Sequence, residues 1–363
     1  MSAALPVLFL AILAACGGGG GGDMGAQPAS SGPSSPSPSP GGVTLQVYLG
    51  NLSFPVTMAF APDGRLFFNE LQTGQVRVVS AQGTLLARPF ATETVETSGE
   101  RGLLGLALHP DFSRNGLVYI LYSDPAGVHR VVRYTDRDNV GADRTLLIDG
   151  LPSNGNHNGG NLAFGPDGML YLTTGDSGTP ARAQDPDDLA GKVLRFRDDG
   201  SVPPDNPFGA TNPVYAMGLR NSFDLAFMPS TGSLYASENG PDCDDEINRI
   251  LAGGNYGWRE NYPCGDTDPA FLPPIVRFNP VIAPTGITIY QGSAFPHLQG
   301  QVLLVDFNQG RVRAFQVDDA QGGLVLSSSI LLDPGLGPLL DIVTGPDGFI
   351  YISTVSAILR LRP

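Results

Sequence analysis

The hydrophobic pattern repeats. An apolar residue is followed by a Pro-Asp-Gly-like turn and then by a run in which apolar positions alternate. The clearest copies are Phe60-Ala61-Pro62-Asp63-Gly64-Arg65-Leu66-Phe67-Phe68, Phe164-Gly165-Pro166-Asp167-Gly168-Met169-Leu170-Tyr171-Leu172 and Gly345-Pro346-Asp347-Gly348-Phe349-Ile350-Tyr351-Ile352. Looser copies surround Pro110, Pro229 and Pro296. Each copy reads as short strands separated by turns, because period-two alternation puts one face of a strand in a core and Pro-Asp-Gly closes a tight turn. No stretch carries a convincing amphipathic helical pattern. A four-stranded sheet cannot bury both faces alone, so copies at this period must stack, and radial stacking gives a β-propeller. The pattern therefore predicts an all-β fold, a six-bladed β-propeller with four-stranded antiparallel blades, over residues 43–363. The alternating segment Val43–Leu49 is expected to pair with the last blade and close the ring. Seven blades and a two-sheet sandwich are the competing arrangements.

The first 42 residues break this pattern. Ala3–Ala15 is an apolar run too short to span a bilayer. It ends in Leu13-Ala14-Ala15-Cys16, which is similar to a bacterial lipoprotein processing box, so residues 1–16 are expected to be an export signal with lipidation at Cys16. An ordinary cleaved signal peptide is the alternative, and Met1–Leu10 lacks the usual basic residue. Residues 17–42 are rich in Gly, Ser and Pro and cannot bury apolar surface, so they read as a disordered linker. The expected location is periplasmic or cell-surface, anchored to the membrane only through an N-terminal lipid.

Composition then narrows the chemistry. The chain holds 21 Lys+Arg against 35 Asp+Glu, a formal charge of −14. That balance argues against a nucleic-acid partner, which would need a basic face. Lys192 is the only lysine. Beyond Cys16 only Cys243 and Cys264 remain, and in an oxidising compartment such a pair reads as a disulfide. Polar clusters recur at matching points of the repeat. His157 lies among Asn and Gly, a setting suited to a general base or to a structural turn. His109 reads as structural. Asp242, Asp244, Asp245 and Glu246 supply hard oxygen ligands for Ca²⁺, or form a solvated acidic loop. No Gly-x-Ser-x-Gly and no dinucleotide fingerprint is present.

His157–Gly168 reads His-Asn-Gly-Gly-x-Leu-x-Phe-Gly-Pro-Asp-Gly, and Asp244–Trp258 reads Asp-Asp-Glu-Ile-Asn-x-Ile-x-x-Gly-x-Asn-Tyr-Gly-Trp. With Glu100–Phe112, Gly191–Phe208 and Ala216–Leu225, these strings resemble the soluble PQQ-dependent sugar dehydrogenases, the glucose/sorbosone dehydrogenase family. The resemblance implies a six-bladed propeller that oxidises a sugar C1 hydroxyl by hydride transfer to pyrroloquinoline quinone (PQQ). It implies His157 as general base, Arg220 polarising the quinone, and Asn221 and Glu100 beside cofactor and substrate. It implies Ca²⁺ bound by the Gly240 and Pro241 carbonyls, and a second Ca²⁺ at Glu246 and the Tyr256 carbonyl. The sequence departs from the family where PQQ carboxylates are held. Asn308 stands in place of a Lys, Pro338 and Leu340 in place of two Arg, and Arg311 or Arg313 are the candidate replacements. The electron acceptor is left open. A Ca²⁺-binding propeller without PQQ activity, recognising an extracellular carbohydrate or protein, is the alternative; a Ca²⁺-dependent lactone hydrolase using Glu100 and Glu238 is a third.

Overall fold

The computed structural model describes residues 43–363 other than 334 and 336. The signal segment, Cys16 and the linker lie outside the described residues. Among the described residues β-strands dominate, and the one α-helix is a single turn, Phe112–Asn115.

Twenty-four strands form six four-stranded antiparallel sheets. The first strand, β1, is Thr44–Gly50, and blade I holds β2 (Pro55–Phe60), β3 (Leu66–Glu70), β4 (Gln75–Val79) and β5 (Ala91–Thr92). Blade II holds β6 (Leu103–Leu108), β7 (Leu117–Asp124), β8 (Val128–Arg137) and β9 (Val140–Leu151). Blade III holds β10 (Gly159–Phe164), β11 (Leu170–Thr174), β12 (Lys192–Phe196) and β13 (Val214–Met217). Blade IV holds β14 (Ser222–Phe227), β15 (Leu234–Glu238), β16 (Asp245–Ile250) and β17 (Val276–Phe278). Blade V holds β18 (Pro284–Ile289), β19 (Val302–Asp306), β20 (Val312–Asp318) and β21 (Leu324–Leu332). Blade VI holds β22 (Leu339–Thr344), β23 (Ile350–Thr354) and β24 (Ala357–Arg362). Its fourth strand is β1, with Leu45 opposite Leu361 and Val47 opposite Leu359. The N-terminal strand thus closes the ring as the alternation at Val43–Leu49 predicts.

The repeated turn has one geometry. Gly64, Gly168 and Gly348 adopt φ of +88°, +76° and +77°, conformations that favour glycine. Asp63, Asp167 and Asp347 each accept the peptide N–H two residues on, from Arg65, Met169 and Phe349. The side chain of Asp167 also accepts the Tyr171 hydroxyl, and Asp347 that of Tyr351. The turn joins the innermost strand of a blade to the second strand and fixes its register.

Alternation then distributes the core. Phe67 packs with Val118 and Ile120 of blade II, whereas Leu66 and Phe68 pack with Tyr351 and Ile358 of blade VI. The same division repeats at every blade interface, so each sheet is apolar on both faces. A fully buried Phe or Ile in these layers contributes about 1.5–3 kcal/mol.

Each innermost strand carries a register irregularity near its first residues. Such bulges re-aim side chains. Val56, Leu104, Gly159, Phe223, Thr285 and Leu340, one from each blade, line a pocket at one mouth of the channel. Below them lie Thr57, Asn161, Asp224 and Asp341, facing a cavity of about 470 Å³ that opens toward the other end. Asp341 accepts the N–H of Met58 in blade I at 2.6 Å, and Asp224 that of Ile287 in blade V at 2.8 Å. Thr57 donates to the Leu104 carbonyl, and Thr285 to that of Leu339. Side chain to backbone bonds therefore stitch neighbouring blades around the axis. Burial pushes both carboxyls up, Asp224 to about 6, and the Asp224 charge raises Asp341 further.

Candidate active site at the channel mouth

The loops entering the innermost strands and those after the second strands meet at the mouth that holds the Val56–Leu340 pocket. They bring together Glu100, His157, Arg220, Asn221, Gly240 and Pro241.

His157 precedes β10 with φ +53°, a left-handed conformation unusual for a residue with a side chain. Its carbonyl packs against Gly175 so closely that a Cβ there would lie 2.0 Å away, so only glycine fits. The ring Nδ1 lies 2.7 Å from Asp176 Oδ1. Asp176 is fully buried, and it also accepts the Gly178 N–H and the Trp258 indole N–H, each at 2.7 Å. A carboxylate on Nδ1 places the imidazole proton there and leaves Nε2 as the basic nitrogen. No hydrogen bond to Nε2 occurs among the described residues. Asp176 and Trp258 are site residues that the sequence does not single out. The signal present is only the Gly175-Asp176 step after β11 and the Trp ending the Asp244–Trp258 string.

A second layer supports this loop. Asn158 is fully buried, and its side-chain oxygen accepts the Asn154 N–H at 3.0 Å. His129, also fully buried, faces Asn158, and burial holds its imidazole down at about 3, so it stays neutral. His109 accepts the Asp111 N–H within the turn after β6, which is the structural role its setting predicts.

Arg220 and Asn221 are fixed by Glu238, which accepts both peptide N–H groups at 2.8 and 2.6 Å, together with the Ser222 hydroxyl. Arg220 donates to the Asn239 carbonyl at 3.0 Å and lies 5.5 Å over the Trp258 ring. Asn221 accepts the Gly159 N–H and reaches Glu100 at 3.4 Å. Burial raises the Glu100 carboxyl above its usual range, opposed by nearby His157 and Arg220.

Beside Arg220, Glu238, Asp244, Glu246, Gly240 and Tyr256 enclose a cavity of about 20 Å³, room for one water or one ion. Burial pushes Glu246 up to about 8 and Glu238 to about 7, and the Glu238 charge adds to the shift at Glu246. Arg277 approaches Asp244 and Glu246 only at 3.7 and 3.6 Å. Three carboxylates around so small a space fit a hard cation. The Tyr256 hydroxyl is engaged with Arg249 and Leu251, so its carbonyl is what it can offer. The acidic cluster divides differently from the sequence reading. Asp245 is engaged with the N–H groups of Gly240, Ile282 and Ala283 and serves as a backbone brace. Asp242 is exposed. Cys243 and Cys264 form the expected disulfide across this loop.

The proposed carboxylate-binding half of the mouth is apolar. Leu340 is buried with Ala283 and Phe307, and Phe54 and Val355 pack against them. Asn308 is exposed. Arg311 is not gathered with His157: it pairs with Asp333 at 2.9 Å and Gln309 at 2.7 Å. Arg313 bonds Asp306 and the same Gln309 oxygen. Lys192 is buried and donates to the carbonyls of Arg182, Ala183 and Ala190. The residues present thus fit a cation and a polarised carbonyl, but they do not fit the three carboxylates of PQQ.

The chain matches the Glucose / Sorbosone dehydrogenase family model over residues 52–360. The aldose sugar dehydrogenase YliI of Escherichia coli is 30% identical over 341 residues, covering 87% of this chain and 91% of that protein. Quinoprotein glucose dehydrogenase B of Acinetobacter calcoaceticus is 35% identical over 247 residues, 59% of this chain and 52% of that protein, so the chain spans about half that relative's length. The PQQ-bound form of an aldose sugar dehydrogenase from Streptomyces coelicolor is similar in structure, with a TM-score of 0.78 and 29% identity, covering 90% of this chain and 99% of that one. Among the described residues no helix is long and apolar enough to cross a membrane.

Proposed function

Because the chain belongs to the glucose/sorbosone dehydrogenase family, we propose that its channel mouth oxidises the anomeric hydroxyl of an aldose sugar, with His157 as the base. The observation that carries this reading is the 2.7 Å contact of His157 Nδ1 with the buried Asp176, which leaves Nε2 to accept a proton. Asp176 holds the ring's tautomer and stabilises the imidazolium formed. Trp258 fixes Asp176 from its other oxygen. Arg220, oriented by Glu238 and stacked on Trp258, presents a cation beside the base where negative charge develops on an acceptor oxygen.

Calcium is part of the proposal. Glu246 and the Tyr256 carbonyl would hold one ion, and the Gly240 and Pro241 carbonyls would hold another nearer the mouth. Bound there, Ca²⁺ would supply positive charge beside the acceptor and offset the raised carboxyls. No step here runs through PQQ. Export with lipid attachment at Cys16 is proposed from the sequence before residue 43.

The test is product analysis. An aldose panel is incubated with the Ca²⁺-loaded protein, a redox dye, and a quinone supplied either as PQQ or as its uncharged trimethyl ester. At least one aldose should give its lactone, and His157→Ala should lower the rate by about 10²–10⁴. No lactone from any aldose with either quinone, or an unchanged rate in the variant, contradicts the proposal.

A further inference from the structure

The floor of the mouth and its walls decide which ligand can lie beside Arg220. The bulge residues Val56, Leu104, Phe223 and Leu340 give an apolar floor, and Phe307 continues it upward. The polar groups among them are already engaged. The Thr285 hydroxyl donates to Val305 and Leu339, and the Asn239 amide to Asn221 and Pro284. Among the described residues the cations Arg311, Arg313 and Lys192 are held by Asp333, Asp306 and backbone carbonyls. A carboxylate placed on this floor would be desolvated among lining residues that include no Lys or Arg, and Glu100 is a further acid among them. An uncharged planar ring would instead bury its faces against Phe223, Phe307 and Leu340. The nearest donors are the Arg220 guanidinium, one nitrogen of which is on the Asn239 carbonyl, and the Asn221 amide, held only by a 3.4 Å contact to Glu100, and they suit a carbonyl oxygen.

We infer that this mouth takes an uncharged quinone in place of the tricarboxylate PQQ. The inference rests on the sugar-oxidising reading for its redox step only. In that step the C1–H of the aldose leaves as hydride to the quinone and the C1 hydroxyl proton passes to His157. The sugar loses two electrons and becomes the lactone. The quinone gains the hydride and, once a proton is returned, becomes the hydroquinone, so atoms and electrons balance.

Trp258 is the only tryptophan in the chain and lies under Arg220, so its fluorescence reports occupancy of the mouth without any sugar. PQQ, PQQ trimethyl ester and 9,10-phenanthrenequinone are titrated separately into Ca²⁺-loaded protein. The ester, which keeps the ring and the quinone but masks the charges, should bind at least about tenfold more tightly than PQQ. Phenanthrenequinone should also quench. Asn308→Lys, at an exposed position, should strengthen PQQ binding by about tenfold and leave the ester unchanged; Leu340→Arg should act in the same direction if it folds. Equal or tighter binding of PQQ by the wild type, or no quenching by any of the three, overturns the inference. Binding of the ester without lactone formation would instead sink the sugar-oxidising reading and leave the quinone site standing.

Discussion

Asp176→Asn is the most instructive single change. Three donors converge on the native carboxylate: His157 Nδ1–H, Gly178 N–H and Trp258 Nε1–H, each at 2.7 Å. An amide has one acceptor oxygen. With that oxygen toward His157 and Gly178, the NH₂ group meets the indole N–H; reversed, it meets the other two donors. A buried donor left without a partner costs about 1–3 kcal/mol, and loss of a charge-assisted bond about 1.5–3 kcal/mol. The least costly escape is for His157 to move its proton from Nδ1 to Nε2, so that Nδ1 can accept from the amide. The proposed base is then blocked. The bond to Asp176 strengthens as the imidazolium forms, so losing about 1.5–3 kcal/mol of it in the transition state corresponds to roughly a 10- to 150-fold fall in rate, and the wrong tautomer adds to it. Nitrogen-15 NMR of the four histidine side chains reads the tautomer directly and needs no turnover. The wild type should show His157 protonated at Nδ1 and the variant at Nε2. A variant that keeps the Nδ1–H form, or that oxidises sugar within about twofold of wild type, would refute the assignment of Asp176 as the group that holds the base.

Other outcomes follow from the same geometry. Glu246 and Glu238 have carboxyls pushed up to about 8 and about 7, so the folded chain binds protons more tightly than the unfolded one between roughly pH 4.5 and 8. Without metal, melting temperature should therefore fall as pH rises through that window, and added Ca²⁺ should flatten the dependence; a metal-free protein that gains stability from pH 5.5 to 8 would count against the cavity's charge excess. Ca²⁺ should raise the melting temperature at pH 7.5, and Glu246→Gln should remove most of the rise by deleting one anionic ligand. Replacing Cys243 and Cys264 by Ser should cost about 3 kcal/mol in urea unfolding by loop-closure entropy over their 21-residue separation. A loss below about 1 kcal/mol would show that the loop is held mainly by Asp244, which accepts the Gly265 N–H.

The blades were legible because Pro-Asp-Gly makes one turn with one register, and because period-two alternation divides Leu66, Phe67 and Phe68 between two interfaces. Closure by Thr44–Gly50 was legible for the same reason. His157, Arg220 and Asn221 stood out through the resemblance of their strings to a known family. Asp176 did not, because its bond to His157 crosses from the loop before β10 to the loop after β11, and nothing in the linear pattern marks that approach. Asp245 looked like a metal ligand by its neighbours, yet three backbone N–H groups from two loops claim its oxygens. Glu238 stood out in the sequence only as a candidate hydrolase acid; its bracing role shows only when the Arg220 and Asn221 peptides are folded over it. The bulges that gather Val56, Leu104, Phe223 and Leu340 into one floor leave no shared residue type by which to find them.

A crystal structure of the Ca²⁺-loaded protein soaked with an aldose substrate tests the central claim most directly. The sugar should lie at the Val56–Leu340 mouth with its C1 hydroxyl about 3 Å from His157 Nε2. A sugar bound elsewhere on the propeller, or at this mouth with another hydroxyl or none facing Nε2, would contradict it.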